Sequence, residues 1–320
     1  MMKSPATAGG INIAVRGSHV ETVLGTLNQQ RATAMRGGPR VTSGSVKEFV
    51  LKSMVENYAE LPRILRRPLW RFWHSWIIAR EKRDVAMTCM NYGYAGLDTP
   101  ETVDLLPEEE NERYGLQMYH QAASWVQLEG KDVLEVGSGR GGGAAYLARH
   151  QKPASYVGLD ISEPAIRFCN DHHRFDNLRF VTGDAEALPF ENDRFDAVVN
   201  VESSRCYPHI LRFFAEVKRV LKPEGTFLLT DMRWKTDVRQ LRQQLVESGF
   251  AIADEKEIQQ NVIRALDVDD ERKRQLIRRR IPKLFTAAFN EFAGVRGSGR
   301  YTSFDSGKMD YWSFKLVHAS

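Results

Sequence analysis

The sequence predicts an α/β fold organised around a mostly parallel sheet, and three observations carry that prediction. Seven short apolar runs follow one another between Val133 and Val317, most of them separated by stretches of helical periodicity. The first run, Val133, Leu134 and Val136, passes through Gly137, Gly139, Gly141, Gly142 and Gly143 into a helical opening at Ala144–Ala148. The second and third runs, Ser155–Asp160 and Arg179–Asp184, each end on an aspartate, at the strand exits where such sheets meet their ligands.

Before the sheet, residues 1–45 are rich in Gly, Ala, Thr, Ser and Arg, with Glu21 as the only acid. This composition predicts a mobile tail with a short helix at Val20–Arg31. A transit peptide has a similar composition, whereas Ile11–Val15 is too short for a secretory apolar core. Residues 46–125 read as a helical lid. Phe49, Val50, Met54, Tyr58 and Leu61 recur at helical spacing up to Pro62, and a second face of Leu69, Trp70, Phe72, Trp73, Trp76 and Ile77 follows Pro68. Arginines 66, 67, 71 and 80 border that face. It suits packing over the catalytic domain, with Trp73 toward the acceptor, and peripheral contact with a membrane interface is the alternative. Glu108–Val126 reads as the helix that leads into the first strand. His120 within it has no second His or carboxylate at metal-binding spacing, so no metal is expected.

Within 126–320, Ser162 is placed to cap a helix over Glu163–His173, with Pro164 tolerated in the first turn. His172 and His173 at its end are structural. Phe195–Val201 is the fourth strand, and an amphipathic helix follows over Pro208–Leu221. Then come a fifth strand at Gly225–Asp231, a helix at Val238–Ser248, a short strand at Phe250–Ile252 and a last strand at Tyr311–Val317. Between these last two lies a charged helical insertion at about 260–295, carrying Arg272, Lys273, Arg274, Arg278, Arg279, Arg280 and Lys283. A solvated face is the expectation there; a seat for an anionic group is the alternative.

Glycines between a strand and a helix let backbone N–H groups approach a ligand closely. Gly137, Gly139 and Gly142 also satisfy the dinucleotide pattern, so NAD stays open on the loop alone. Asp160, about 20 positions on, suits the hydroxyls of a ribose, which NAD and S-adenosylmethionine share. The step Gly183-Asp184-Ala185 is a methyltransferase feature. VLEVGSGRGGG, GLDIS, GDAEALPF, FDAVVNVESS and LKPEGTFLLTD together resemble class I S-adenosylmethionine-dependent methyltransferases in order and spacing. The resemblance implies a Rossmann-like methyltransferase fold whose last strand is antiparallel and inserted near the sheet edge. It implies that Gly137 and Gly139 border the methionine part of the cofactor and that Glu135 positions its ammonium. Asp160 takes the ribose, Ile161 packs on the adenine, and Asp184 with Ala185 holds its amino edge. The Asn200 backbone meets the methionine amino group, and Tyr92, in Asn91–Tyr94, closes over the cofactor.

NVESSRCYPH, the triple glycine, EFAGVRGSGRY and YWSF are similar to the mycobacterial phthiotriol/phenolphthiotriol dimycocerosate methyltransferases. That similarity spans about Trp70 to Phe314 and implies O-methylation of a lipophilic alcohol. That family commonly has His where this chain has Arg205, and a guanidinium does not act as a base. His209, Glu202 and Tyr207 are the candidate bases, with Arg205 on the substrate. C-methylation of a prenyl diphosphate and a catalytically inactive lipid-binding module are the other readings. A formal net charge of +4 argues against nucleic acid as a partner. Three cysteines without C-x-x-C pairing point to a reducing, cytoplasmic setting.

Overall fold

The computed structural model describes residues 87–98, 103–281, 283 and 286–319. The predicted tail, both lid helices and Trp73 lie outside the described residues.

Helix α1 (Arg113–Ala123) leads into β1 (Asp132–Val136), α2 (Gly142–His150), β2 (Ser155–Asp160), α3 (Glu163–His172) and β3 (Leu178–Thr182). The chain continues through β4 (Phe195–Val201), α4 (Ile210–Val220), β5 (Leu221–Trp234), α5 (Val238–Glu247) and β6 (Phe250–Glu257). Helices α6 (Gln259–Arg280), α7 (Thr286–Ala293) and α8 (Gly299–Asp305) then precede β7 (Met309–His318). The seven strands are ordered β3-β2-β1-β4-β5-β7-β6, as the α/β reading requires. β7 runs antiparallel to both β5 and β6, while β1–β2, β1–β4, β2–β3 and β4–β5 are parallel.

Alternation along β1 explains the layers. Val133 faces a core formed with α1, α2 and α3, including Leu116, Met118, Leu147 and Phe168. Leu134 and Val136 face the opposite core, with Phe213, Phe214, Val217 and Val220 of α4. Each such aromatic or aliphatic side chain contributes about 1.5–3 kcal/mol on burial. Glu135 shares Val133's face and is wholly buried beneath α1.

Three local features depart from, or sharpen, the sequence reading. Ser162 caps α3 as expected, its side chain accepting from the Ala165 N–H at 3.4 Å. β5 starts four residues before the predicted strand. Leu221 pairs with Phe195, the register shifts through Lys222–Gly225, and pairing resumes at Thr226 opposite Ala197. Pro223 lacks the N–H that an unbroken ladder needs. β6 runs to Glu257 rather than Ile252, and its second half is charged and exposed. Among the described residues it is an edge strand with one partner, β7, and its exposed polar residues leave no apolar signal.

The sheet changes direction at β1, with β2 on one side and β4 on the other. In open α/β sheets, ligand crevices lie outside the carboxyl ends of the strands at such a switch point.

Candidate active site

A cleft occupies that position and encloses about 1050 Å³, including the solvent at its mouth. Gly137, Ser138, Gly139 and Arg140 from the β1–α2 turn, Asp160 and Ile161 after β2, and Gly183, Asp184 and Ala185 after β3 line it. Val201, Glu202, Ser203, Arg205, Cys206 and Tyr207 supply the side beyond β4. Tyr92 and Tyr119 complete it from the segment before β1. Of the predicted cofactor residues, Gly137, Gly139, Asp160, Ile161, Asp184, Ala185 and Tyr92 therefore converge on one space.

The glycine loop is tight because other parts of the chain occupy the room that side chains would need. Gly137 has φ +83°, and a Cβ there would lie 2.3 Å from Ser203 Oγ. A Cβ on Gly143 would lie 2.0 Å from Tyr119 Cζ. Both are shorter than any real contact, so the loop and the cleft walls are fitted to glycine. Asp160 accepts from the Gly139 N–H at 3.0 Å and from the Ser162 N–H at 2.8 Å. Those bonds hold its carboxylate at the strand exit. Asp184 accepts from the Glu186 N–H at 3.0 Å.

Glu135 and Asn200 stand behind the cleft rather than on its lining. Glu135 accepts from the hydroxyls of Tyr119 at 2.8 Å and Tyr156 at 3.0 Å. Burial pushes its pKa up to about 7, against the pull of those two hydroxyls. Tyr119, which does line the cleft, is thus the link between Glu135 and the ligand space. The Asn200 side chain donates to the Val136 carbonyl at 2.9 Å and to Ser203 Oγ at 2.7 Å. Among the described residues its Oδ1 and Ser138 Oγ are buried without a hydrogen-bond partner, the orphaned polar atoms expected around a site shaped for a polar ligand.

The three candidate bases are placed very differently. His209 is exposed at the N-cap of α4, and its backbone N–H donates to Glu186 at 2.9 Å. It is not among the residues lining the cleft. Tyr207 lines the cleft; its hydroxyl donates to Ser203 Oγ at 2.9 Å, and burial drives its pKa far up. Glu202 lines the cleft in a left-handed backbone conformation, φ 53°. Such a conformation is unfavourable for a residue with a Cβ and commonly marks a functional position. Its Oε1 accepts from the Tyr92 N–H at 2.7 Å and the Tyr311 hydroxyl at 2.5 Å. Burial pushes its carboxyl up to about 7, with those bonds opposing.

Arg205 faces the same space. Its Nε stands 3.8 Å from Asp231 Oδ1, and that Nε makes no hydrogen bond among the described residues. Asp231 is more firmly engaged by Arg233 at 3.1 Å and by the Ser204 hydroxyl at 2.6 Å.

The segment 87–95 crosses the cleft as a strap. Glu112 accepts from the N–H groups of Thr88 at 2.6 Å and Cys89 at 3.0 Å, and Glu202 holds Tyr92. The Tyr94 N–H donates to the Tyr114 carbonyl at 2.9 Å, and Asn261 donates to Ala95 at 2.9 Å. Gly142 makes room for it, since a Cβ there would meet Thr88 Oγ1 at 2.4 Å. Sequence reasoning found Tyr92 but not Thr88, Tyr119 or Ser203. The only signal for them was the glycine run, whose missing side chains mark close approach without naming what approaches.

Comparison with known proteins agrees with this geometry. A methyltransferase-domain family model matches residues 134–229. The phthiotriol/phenolphthiotriol dimycocerosates methyltransferase of Mycobacterium leprae is 38% identical over 249 residues, covering 78% of this chain and 92% of that one. A fatty-acid O-methyltransferase of Mycolicibacterium smegmatis is 39% identical over 217 residues, covering 68% and 79%. Among solved structures, a cyclopropane synthase of Mycobacterium tuberculosis shares the fold, with a TM-score of 0.58 at 16% identity, covering 76% of this chain and 97% of that one. With more than a third of positions identical over nine-tenths of the leprosy-bacillus protein, the chain belongs to the family of the phthiotriol/phenolphthiotriol dimycocerosates methyltransferases, and it is an S-adenosylmethionine-dependent methyltransferase.

Proposed function

We propose that the protein O-methylates a hydroxyl of a lipophilic acceptor, with Glu202 as the group that receives the proton. The relatives' names speak of lipid acceptors, a phthiotriol dimycocerosate and a fatty acid. The observation that carries the reading is the place of Glu202: a buried carboxylate on the cleft wall, turned there by a left-handed backbone, which burial pushes up to about 7. A general base works best with a pKa near the operating pH.

S-adenosylmethionine supplies an electrophilic methyl group on a sulfonium. What the chain supplies is position. Asp160 holds the ribose hydroxyls, Asp184 and Ala185 the adenine edge, and the turn at Gly137–Gly139 the methionine part. Tyr119, held by Glu135, and the Asn200–Ser203 pair border the amino-acid end. The strap at Tyr92 excludes water over the reacting atoms. Holding oxygen and methyl carbon at attack distance accounts for roughly 7–11 kcal/mol of barrier lowering. With the cofactor bound, Glu202 would accept the acceptor's proton as the methyl carbon exchanges its bond to sulfur for one to oxygen and the sulfur leaves as the thioether of S-adenosylhomocysteine, while Oε1 stays tied to Tyr92 and Tyr311. His209, exposed at its helix cap, ranks below Glu202 for this role, and Tyr207 serves better as a hydrogen-bond donor than as a base.

If this cofactor placement is right, Asp160→Ala should weaken S-adenosylhomocysteine binding at least about tenfold, or 1.4 kcal/mol, by calorimetry. Equal affinity in the variant would remove Asp160 from the site. Incubation with methyl-labelled cofactor and a panel of long-chain alcohols, acids and prenyl diphosphates, read by mass, tests the acceptor. Label found only in a methyl ether supports the reading, and label found only on a carbon sinks it. One observation favours a second reading, C-methylation of a prenyl diphosphate: Arg205 is a cation on the cleft wall, its buried Nε without a hydrogen bond among the described residues and 3.8 Å from Asp231.

A further inference from the structure

Beside the cofactor cleft lies a second cavity of about 880 Å³. Met90, Asn91, Tyr92 and Phe292 line both spaces, so the strap is a wall shared between them. The far side comes from α6 and α7, where Leu276, Ile277 and Phe289 make the lining largely apolar.

Lys273 also lines this apolar space. Its side chain is only 12% exposed, and its Nζ donates to the Tyr92 carbonyl at 3.3 Å and stands 3.8 Å from Asp269 Oδ2. Asp269 is already engaged, because Arg272 donates to its two oxygens at 2.5 and 2.6 Å. Glu112, the other acid on the lining, accepts from the Thr88 and Cys89 amides, and burial raises its pKa toward the neutral form. Arg280 adds a further cation to the wall. With Asp269 engaged by Arg272, the nearest partner of the Lys273 ammonium among the described residues is the carbonyl oxygen of Tyr92. Burial works against the charged form of Lys273, so an anion arriving there would relieve a cost the fold already bears.

We propose that this cavity binds the anionic end of the methyl acceptor, which is then a long-chain amphiphile carrying a carboxylate or phosphate remote from the oxygen that is methylated. The inference rests on the lipid O-methylation reading for what happens at the other end of that molecule. Lys273 holds the carbonyl of Tyr92, and Glu202 holds the amide of the same residue at 2.7 Å. The two groups thus lie within roughly 10 Å of one another across one residue of the strap. An anion fixed at Lys273 sets the position of the acceptor relative to Glu202, and the apolar lining from α6 and α7 takes the rest of its hydrocarbon. A lone ammonium is a point charge without the fork of a guanidinium, so it takes either a carboxylate or a phosphate.

The test is calorimetric binding of laurate, dodecyl phosphate and dodecanol to the full chain loaded with S-adenosylhomocysteine, in the parent protein, Lys273→Met and Lys273→Arg. At least one of the two anions should bind about tenfold or more tightly than dodecanol. Lys273→Met should erase that preference and Lys273→Arg should keep most of it. The affinities for dodecanol and S-adenosylhomocysteine should hold steady across the variants, which shows that the fold and the apolar lining are intact. If Lys273→Met fails that check, Lys273→Gln carries the same comparison. The order of laurate and dodecyl phosphate identifies the head group. An anion preference that survives the loss of Lys273, or no preference in the parent, overturns the proposal. So does methyl laurate formed when S-adenosylmethionine replaces its product, since the carboxylate would then sit at the methyl group. Anions that need Lys273, in a protein that methylates no hydroxyl, would leave this inference standing and sink the O-methylation reading.

Discussion

Glu202→Gln should lower turnover by roughly 10²–10⁴, the usual contribution of a positioned base, while S-adenosylhomocysteine affinity stays within about threefold. Glutamine keeps an oxygen for the Tyr92 N–H and the Tyr311 hydroxyl, so the strap remains anchored and only the proton acceptor is lost. The pH profile gives a second readout. Because burial holds the Glu202 carboxyl at about 7, the group is protonated and inactive below that pH and ionised above it. Parent kcat/KM should therefore rise with pH and level off above about 7, and the variant should lose that limb. His209→Ala should change turnover little, as its exposed place at a helix cap implies. Arg205→Ala separates the two chemistries: a modest effect under O-methylation, a large rise in KM for a diphosphate acceptor. A variant at Glu202 that keeps both parent turnover and the parent pH limb would remove it from the mechanism, and a His209→Ala collapse would restore histidine as the base.

The legible part of this chain was the part written in backbone demands. The glycine run, the acids at the ends of the second and third strands and the alternation of apolar runs state what the backbone must do, and the cleft stands where they place it. Glu135 shows where that reading thins. Its position in the first strand is visible in sequence, but only the period-2 alternation of β1, set against α1, puts it behind Tyr119 rather than on the cleft. The base was harder still. Glu202, Tyr207 and His209 fall within eight residues, and sequence spacing weighs them alike. A left-handed turn at Glu202 sends one into the cleft, and the start of α4 leaves another in solvent. The charged insertion read as a solvated face. Arg278 and Arg279 fit that, yet Lys273 lies on the inner side of α6, because a helix of that length cannot present every residue to water.

Gly143→Ala should destabilise the protein in one background and stabilise it in another, and that reversal tests the junction between the glycine loop and α1. In the parent chain the new methyl group would lie 2.0–2.3 Å from three atoms of the Tyr119 ring, a ring packed almost fully out of solvent. The ring must move. Overpacking of this kind costs about 1–3 kcal/mol. Displacing the Tyr119 hydroxyl also takes a donor from buried Glu135, a further cost of about 1–3 kcal/mol. Cofactor affinity should fall with stability, since Tyr119 lines the cleft. Tyr119→Ala is itself costly, about 3–5 kcal/mol by analogy with other large aromatic truncations, but it empties the space the methyl group needs. Gly143 lies in the first turn of α2, so in that background Gly143→Ala should contribute up to about 1 kcal/mol through helix propensity alone. Urea denaturation of the four proteins in the cycle measures the coupling, which should exceed about 2 kcal/mol, well above the few tenths found for independent sites. Equal effects of Gly143→Ala in both backgrounds would mean that the third glycine is there for the backbone and not for the tyrosine.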